Sequence, residues 1–343
     1  MRSTSPSRAA PAFVLAVLAI ARAPAVHAQQ AEARGFALER LYPSAPGGGF
    51  WVADELRLEG GLGGAVSLTL GYAHAPLRVA GQPGAGSLAV VRHETLATLA
   101  MAVTYDRFRA WASFASPIYL AGQGGDAGAF HFTTPAANLE QNPDTLFDVL
   151  LGVDARLWGD AHGPFRLGAG AQLWAPSGDR ADYGTDGTAR GMVRMLAAGE
   201  AGRFSYAGHV GVHLRPLDEA IPGSPRGSEL LFAAAGGMTF PLGAHALIVG
   251  PELFGASPLR ALFSSDATAL EALLGARLEL ARKGSAQLRF KLGAGAALHA
   301  QSGAPEWRFI GAVELGGEAG PAGPAPGATS SPSPESPPAP RAP

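Results

Sequence analysis

The chain has 343 residues, a formal net charge of −2 and no cysteine. Such a charge argues against a nucleic-acid partner, and without cysteine there is no disulfide framework, thiolate metal site or cysteine nucleophile. Only 16% of residues are charged and 47 are glycine, while the mean hydropathy is only +0.11; that is foreign to a helical membrane protein and natural for a β-barrel, whose alternating strands dilute the hydropathy.

Residues 1–28 read as a secretory signal. Arg2 and Arg8 give a positive start, Pro11 to Ile20 an apolar core too short to span a bilayer, and Val26-His27-Ala28 a small-x-small cleavage site before Gln29. No cysteine follows that site, so a lipoprotein signal is not expected. No later stretch reaches the ~18 apolar residues of a transmembrane helix. Residues 29–62 form an entry segment: a polar start, then short apolar pieces broken by Pro and Gly, with a short strand expected near Glu55–Leu58. Phe50 and Trp51 favour burial of this segment inside a barrel or along its periplasmic rim over a disordered leader.

Residues 63–317 carry twelve strand candidates. They run over Ala65–Val79, Leu88–Val103, Arg107–Tyr119, Leu146–Trp158, Pro164–Ala175, Arg190–Ala198, Arg203–Arg215, Ser228–Phe240, Ala244–Phe254, Thr268–Arg282, Gln287–His299 and Glu306–Leu315. The clearest is the eleventh. Leu288, Phe290, Leu292, Ala294, Ala296 and Leu298 fall on one side; Gln287, Arg289, Lys291, Gly293, Gly295 and His299 fall on the other. Successive strand side chains point to opposite faces, and this run exceeds an ordinary strand of about 5–6 residues but suits a tilted membrane-crossing strand of about 9–11. Trp158 and Trp174 fall in the inward phase, where they either fill the lumen or mark a local bulge.

Between the second and eleventh strands, short and long connections alternate. Asp106, Leu242-Gly243 and Lys283-Gly284 are among the short ones; Ala121–Thr145, Pro176–Ala189, Pro216–Gly227 and Gly255–Ala267 are the long ones. Outer-membrane barrels keep this parity, with short periplasmic turns and long outer loops; Greek-key sandwiches have no reason to. The sequence therefore predicts an all-β, up-and-down antiparallel transmembrane barrel of about twelve strands. Residues 318–343, rich in Pro, Ala, Ser and Gly, read as a disordered tail, placed in the periplasm by the same parity.

The proposed outer faces carry apolar residues almost alone, whereas the charges fall inward. Arg156, Arg166, Arg203, Arg215, Arg277, Glu279, Arg289 and Lys291 are the candidate pore-lining residues. Buried opposite charges should pair to limit desolvation, so these either form a structural ladder of ion pairs or line a weakly selective pore. The many inward Gly and Ala residues leave room for a narrow water-filled pore, a loop or an N-terminal plug.

No G-x-S-x-G, P-loop, H-E-x-x-H or EF-hand pattern is present. His209 and His213 share a strand face about 13 Å apart, too far for one metal, and read as luminal fillers. The acidic stretch Asp179 to Gly187 resembles a Ca2+ loop but lacks the closing bidentate Glu. No catalytic residue, cofactor or metal is expected, and no spacing selects the Ser–His pair of a barrel lipase.

Gly35-Phe36-Ala37-Leu38-Glu39-Arg40, Phe50-Trp51, Leu68 to Ala73, Ala175 to Gly178, Gly227 to Phe232 and Val249 to Leu253 resemble the barrel region of myxobacterial OmpA-type outer-membrane proteins over roughly residues 36–317. The resemblance implies a non-enzymatic barrel of the Gram-negative cell envelope, structural or passively porin-like, with outer-membrane lipid and the barrel-assembly machinery as partners. Such proteins carry a peptidoglycan-binding domain after a Pro-rich linker. This sequence stops inside the linker, so peptidoglycan contact is not expected of it. An alternative is a transporter of apolar small molecules, which requires a luminal plug and a lateral opening; residues 35–62 are the plug candidate.

Overall fold

The computed structural model describes residues 31–80, 87–135, 137, 145–217 and 227–318. The expected signal at 1–28, the tail beyond Glu318 and parts of three connections between strands lie outside them. Among the described residues no helix is long and apolar enough to cross a membrane.

Twelve strands close into one barrel: β1 (Leu62–Ala80), β2 (Ser87–Tyr105), β3 (Phe108–Ala121), β4 (Val149–Trp158), β5 (Arg166–Ala175), β6 (Arg190–Ala201), β7 (Phe204–Leu214), β8 (Glu229–Leu242), β9 (His245–Pro258), β10 (Ala269–Glu279), β11 (Ala286–His299) and β12 (Trp307–Glu318). Each pairs antiparallel with the next, and β12 returns to β1 from Trp307↔His74 to Glu318↔Gly63. Closure removes the sheet edges, the condition for a sheet to sit in hydrocarbon without unpaired backbone groups.

The expected strand set and the alternation of its connections are both present. At one end, hairpins turn on two residues, Asp106-Arg107, Gly202-Arg203 and Gly243-Ala244, with φ of 53°, 62° and 65° at the first of each. Only a left-handed residue closes so tight a turn without splaying the strands, and Asp and Gly tolerate it best. The other end carries the long connections. There β1 and β2 outrun the barrel, and Leu77, Val79, Val90 and Val91 build an apolar cap with Phe36, Leu38, Phe132 and Tyr183. The β3–β4 loop also holds two short strands, Gly125–Ala127 and Phe130–Phe132, the latter pairing with Ala31–Glu32.

The outer wall is apolar and exposed: Leu292 is 69% exposed, Leu274 61% and Phe309 58%. Their neighbours in sequence face inward and are buried, among them Lys291 and Arg308. The two tryptophans of inward phase part company. A register shift between Arg156 and Trp158 turns Trp158 outward, whereas Trp174 is buried against Tyr42 and His213.

Two expectations need correction. Residues Glu55–Leu58 form no strand. Leu56 has φ 53°, which breaks an extended run, and the nearest pairing is an isolated bridge, Gly49↔Asp54. The tenth strand ends at Glu279 instead of Arg282, and the ninth runs to Pro258, because its Gly255 still pairs with Leu270 on β10.

Candidate functional site

The site is the lumen, and the chain fills it with its own residues 33–61. This segment starts at the long-loop end, where Leu38 N–H donates to Tyr183 O (3.0 Å) and Ala37 N–H to Asp186 Oδ1 (2.9 Å). It ends at the short-turn end, where Glu59 meets His162 (3.0 Å) and Arg282 (3.4 Å) before β1 begins. It therefore threads the barrel from one mouth to the other. Phe36, Leu38, Ala45, Trp51, Ala53, Leu56 and Leu58 are all buried.

Luminal glycines seat its large side chains. A Cβ on Gly293 would stand 2.7 Å from Trp51 Nε1, one on Gly168 2.8 Å from Leu56, and one on Gly237 3.0 Å from Phe50. Tyr42 packs edge-on to Trp174 with ring centroids 5.2 Å apart.

Charge pairing follows the segment along its length. Near the long-loop end, Arg40 bonds Glu229 (2.9 Å), which also takes Arg215 (3.0 Å). Arg215 reaches Asp186 at 2.6 Å. Glu39 accepts from Arg308 (2.9 Å), itself bonded to Glu271 (2.9 Å). At mid-depth the Glu252 carboxylate accepts from the backbone N–H of Trp51 (2.6 Å), Val52 (2.9 Å) and Ala53 (3.4 Å). Lys291 sits 4.5 Å over the Trp51 ring and bonds Glu314 (3.4 Å). Lower down, Arg109 bridges Asp54 (2.5 Å) and Asp154 (2.8 Å), and Arg194 also holds Asp154 (2.8 Å). Arg277 joins Glu55 (3.0 Å) to Glu279 (2.9 Å), which Arg289 approaches at 3.5 Å. Each of these pairs but Arg289–Glu279 is dry on at least one side, where an ion deserted by its partner would be costly.

Of the residues singled out as pore-lining, Arg277, Glu279, Arg289 and Lys291 thus form one cluster on β10 and β11. Arg156 donates to Leu58 O (2.8 Å) and Arg166 to Glu200 (3.0 Å), which also holds Arg57. Arg215 lies just beyond β7, among loop groups. Arg203 is exposed in the β6–β7 turn, apart from this cluster. Arg40, Asp54 and Glu55 on the segment, and Arg109, Arg190 and Arg308 on the wall, are partners the strand pattern did not single out. Arg109 and Arg308 could have been found by stepping in twos from Ser113 and Glu314, which share their faces. His213 is fully buried beside Tyr42 and Trp174. Among the described residues no His, Asp or Glu group is arranged to hold a metal.

Among the described residues the lumen keeps two larger cavities. A polar one of about 290 Å3 opens at the short-turn end between Arg57, Glu59, Arg282 and Arg289. A mainly apolar one of about 110 Å3 lies higher, lined by Leu41, Tyr42, Phe147, Leu150, Trp174 and Ile310 among others. It borders a seam. The β3–β4 ladder stops at Ser113↔Leu150, and above it loop groups take over: Phe147 N–H donates to Ala115 O (2.8 Å), Ser116 Oγ to Thr145 O (2.9 Å) and Leu120 N–H to Ala137 O (2.8 Å).

Fold and site together define a closed twelve-stranded barrel with an occupied lumen. No family model matches the chain, and no curated protein matches it. Among solved structures, it is similar to an outer-membrane channel from Pseudomonas putida F1 (15% identity, TM-score 0.47, covering 75% of this chain and 95% of that one). It is also similar to the NanC porin (6%, 0.44, 74% and 100%) and to the beta domain of the Bordetella autotransporter BrkA (14%, 0.38, 74% and 98%).

Proposed function

We propose that the chain is a non-enzymatic barrel of the outer membrane, porin-like in architecture and closed at rest by its own N-terminal segment. The carrying observation is that residues 33–61 cross the lumen from mouth to mouth and pair with its charged groups at every depth. Its role is then structural, or that of a channel that conducts only when the segment moves. The exposed apolar wall supports the membrane location: in water so continuous a patch would drive association, and in lipid it is matched. The alternation of short and long connections supports a periplasmic short-turn end, with the Pro-rich tail on the same side. The resemblance to OmpA-type barrels supports the structural side of this reading. In that setting Arg277, Lys291 and Arg156 hold the segment through Glu55, Phe50 O and Leu58 O, Glu279, Arg289 and Arg166 stand behind them on the wall and its turns, and all six would line the path if the segment withdrew.

A second reading, carriage of a small apolar molecule, is favoured by the apolar cavity beside the loop-covered β3–β4 seam.

Single-channel recording of refolded residues 29–343 in a planar bilayer tests the main reading. The expected result is a folded, heat-modifiable protein that gives no steady current. A persistently open channel of ohmic conductance would overturn closure at rest.

A further inference from the structure

The upper luminal cavity holds a carboxylate that nothing answers. Glu94, on β2, lines it and is 2% exposed. Neither of its oxygens has a hydrogen-bond partner among the described residues. A buried acceptor left alone carries its full desolvation cost, so such a group calls for a partner. The other charges around it are matched. Arg308 is bonded to both Glu39 and Glu271, and Asp148 to Arg190 (2.9 Å). Glu94 lies in the field of Glu39, Glu271 and Arg308, three carboxylates against one guanidinium. Carboxyl groups thus outnumber guanidinium groups beside Glu94, and a hydrogen-bond donor suits this end of the cavity better than an anion does. Apart from Thr69, Thr98 and Ser113 the rest of the lining is apolar or aromatic, and the volume of about 110 Å3 is of the order of cavities that take up a benzene-sized molecule.

We propose that this cavity binds a small apolar molecule with a cationic head: an ammonium group donating to Glu94, and a short hydrocarbon body lying against Tyr42, Trp174 and Ile310. The head supplies the missing hydrogen bonds at Glu94, and the body covers apolar lining. This site deepens the second reading above, carriage of an apolar small molecule, and names its substrate class as short amines. Binding requires no ion conduction, and its readout is separate: a steady current would remove the closed-channel reading and, with the segment, Tyr42 from this site, whereas failure to bind in a protein that gives no current would remove this site alone.

The test titrates the full refolded chain in detergent micelles with hexylamine, 1-hexanol and hexanoate, following tryptophan emission, with Trp174→Phe identifying the reporter. Hexylamine should saturate, hexanol should bind more weakly, and hexanoate should give only linear partition into micelles. Glu94→Gln should weaken hexylamine at least ten-fold. Equal affinity in that variant, absence of saturation with hexylamine, or hexanoate binding as tightly would overturn the site; hexanol binding as tightly would overturn the ammonium assignment. If Glu94→Gln does not give the heat-modifiable folded form, Ala115→Phe, which fills the cavity from its wall, serves instead. It should abolish saturation, and an unchanged hexylamine curve would overturn the proposal.

Discussion

Asp154 shows what single charges do in this lumen. It is buried and takes hydrogen bonds from Arg109, Arg194 and Trp111 Nε1 (3.2 Å). Replacing it with Leu leaves two guanidinium groups short of a partner in a dry site, a change that costs about 3–5 kcal/mol. The urea midpoint of the heat-modifiable band should fall accordingly, and a midpoint within error of wild type would show that Asp154 is hydrated instead. Asp186, in the β5–β6 loop outside the spanning strands, carries a pH-dependent contact. Burial pushes its carboxyl up, but hydrogen bonds and charge from Arg215, with help from Arg190 and the Ala37 amide, outweigh that and bring it down to about 2. A carboxyl depressed in the folded state stabilises above its unfolded value near 4 and loses that contribution as pH falls through the folded value. Protection of the Ala37 amide, which donates to Asp186, should therefore be constant above about pH 4 and decline between about pH 4 and 2; a decline centred near pH 6 would point to a different titrating group.

At the scale of elements, the barrel strands were legible, and the luminal segment was legible as a plug candidate but not in its course. A strand with lipid on one side and protein on the other must alternate, so Leu288 to Leu298 announce themselves by a period of two. Residues 33–61 obey no period, because their neighbours are set by distant strands: Arg40 finds Glu229, Trp51 finds Glu252, and Glu55 finds Arg277. Sequence offered only hints there, in the aromatics Phe50 and Trp51 and in the many small inward residues. Trp158 marks the limit of the alternation rule itself, since one register shift after Arg156 reverses its face. The recess at Gly293 ties wall to segment. Gly293→Val would drive a side chain into Trp51 and Ile310, and overpacking of this kind costs about 1–3 kcal/mol. Amide protection at Trp51, Val52 and Ala53 should drop while that of β11 and β12 is kept. Unchanged protection at all three would mean that Trp51 does not seat there.

The whole molecule is a closed sheet wrapped on two interiors, one of side-chain ion pairs at mid-barrel and one of apolar groups capping the long-loop mouth. Its outside answers to lipid and its inside to its own N-terminal segment, which is why a charge-poor chain still buries so many arginines. Counting inward charges in the sequence suggested either a ladder of ion pairs or a pore lining. With the segment in place the charges pair largely through it, and a pore would exist only in its absence. The most direct measurement of that claim uses the natural lack of cysteine. Single replacements Ala45→Cys and Ala53→Cys, both fully buried in the segment, and Ser302→Cys in the β11–β12 loop are pulsed with a small water-soluble thiol reagent in the folded, membrane-inserted protein. An occupied lumen predicts rapid labelling at 302 and labelling at 45 and 53 at least a hundred-fold slower, until urea unfolds the barrel. Rates at 45 and 53 matching that at 302 would show an open, water-filled lumen and contradict the account.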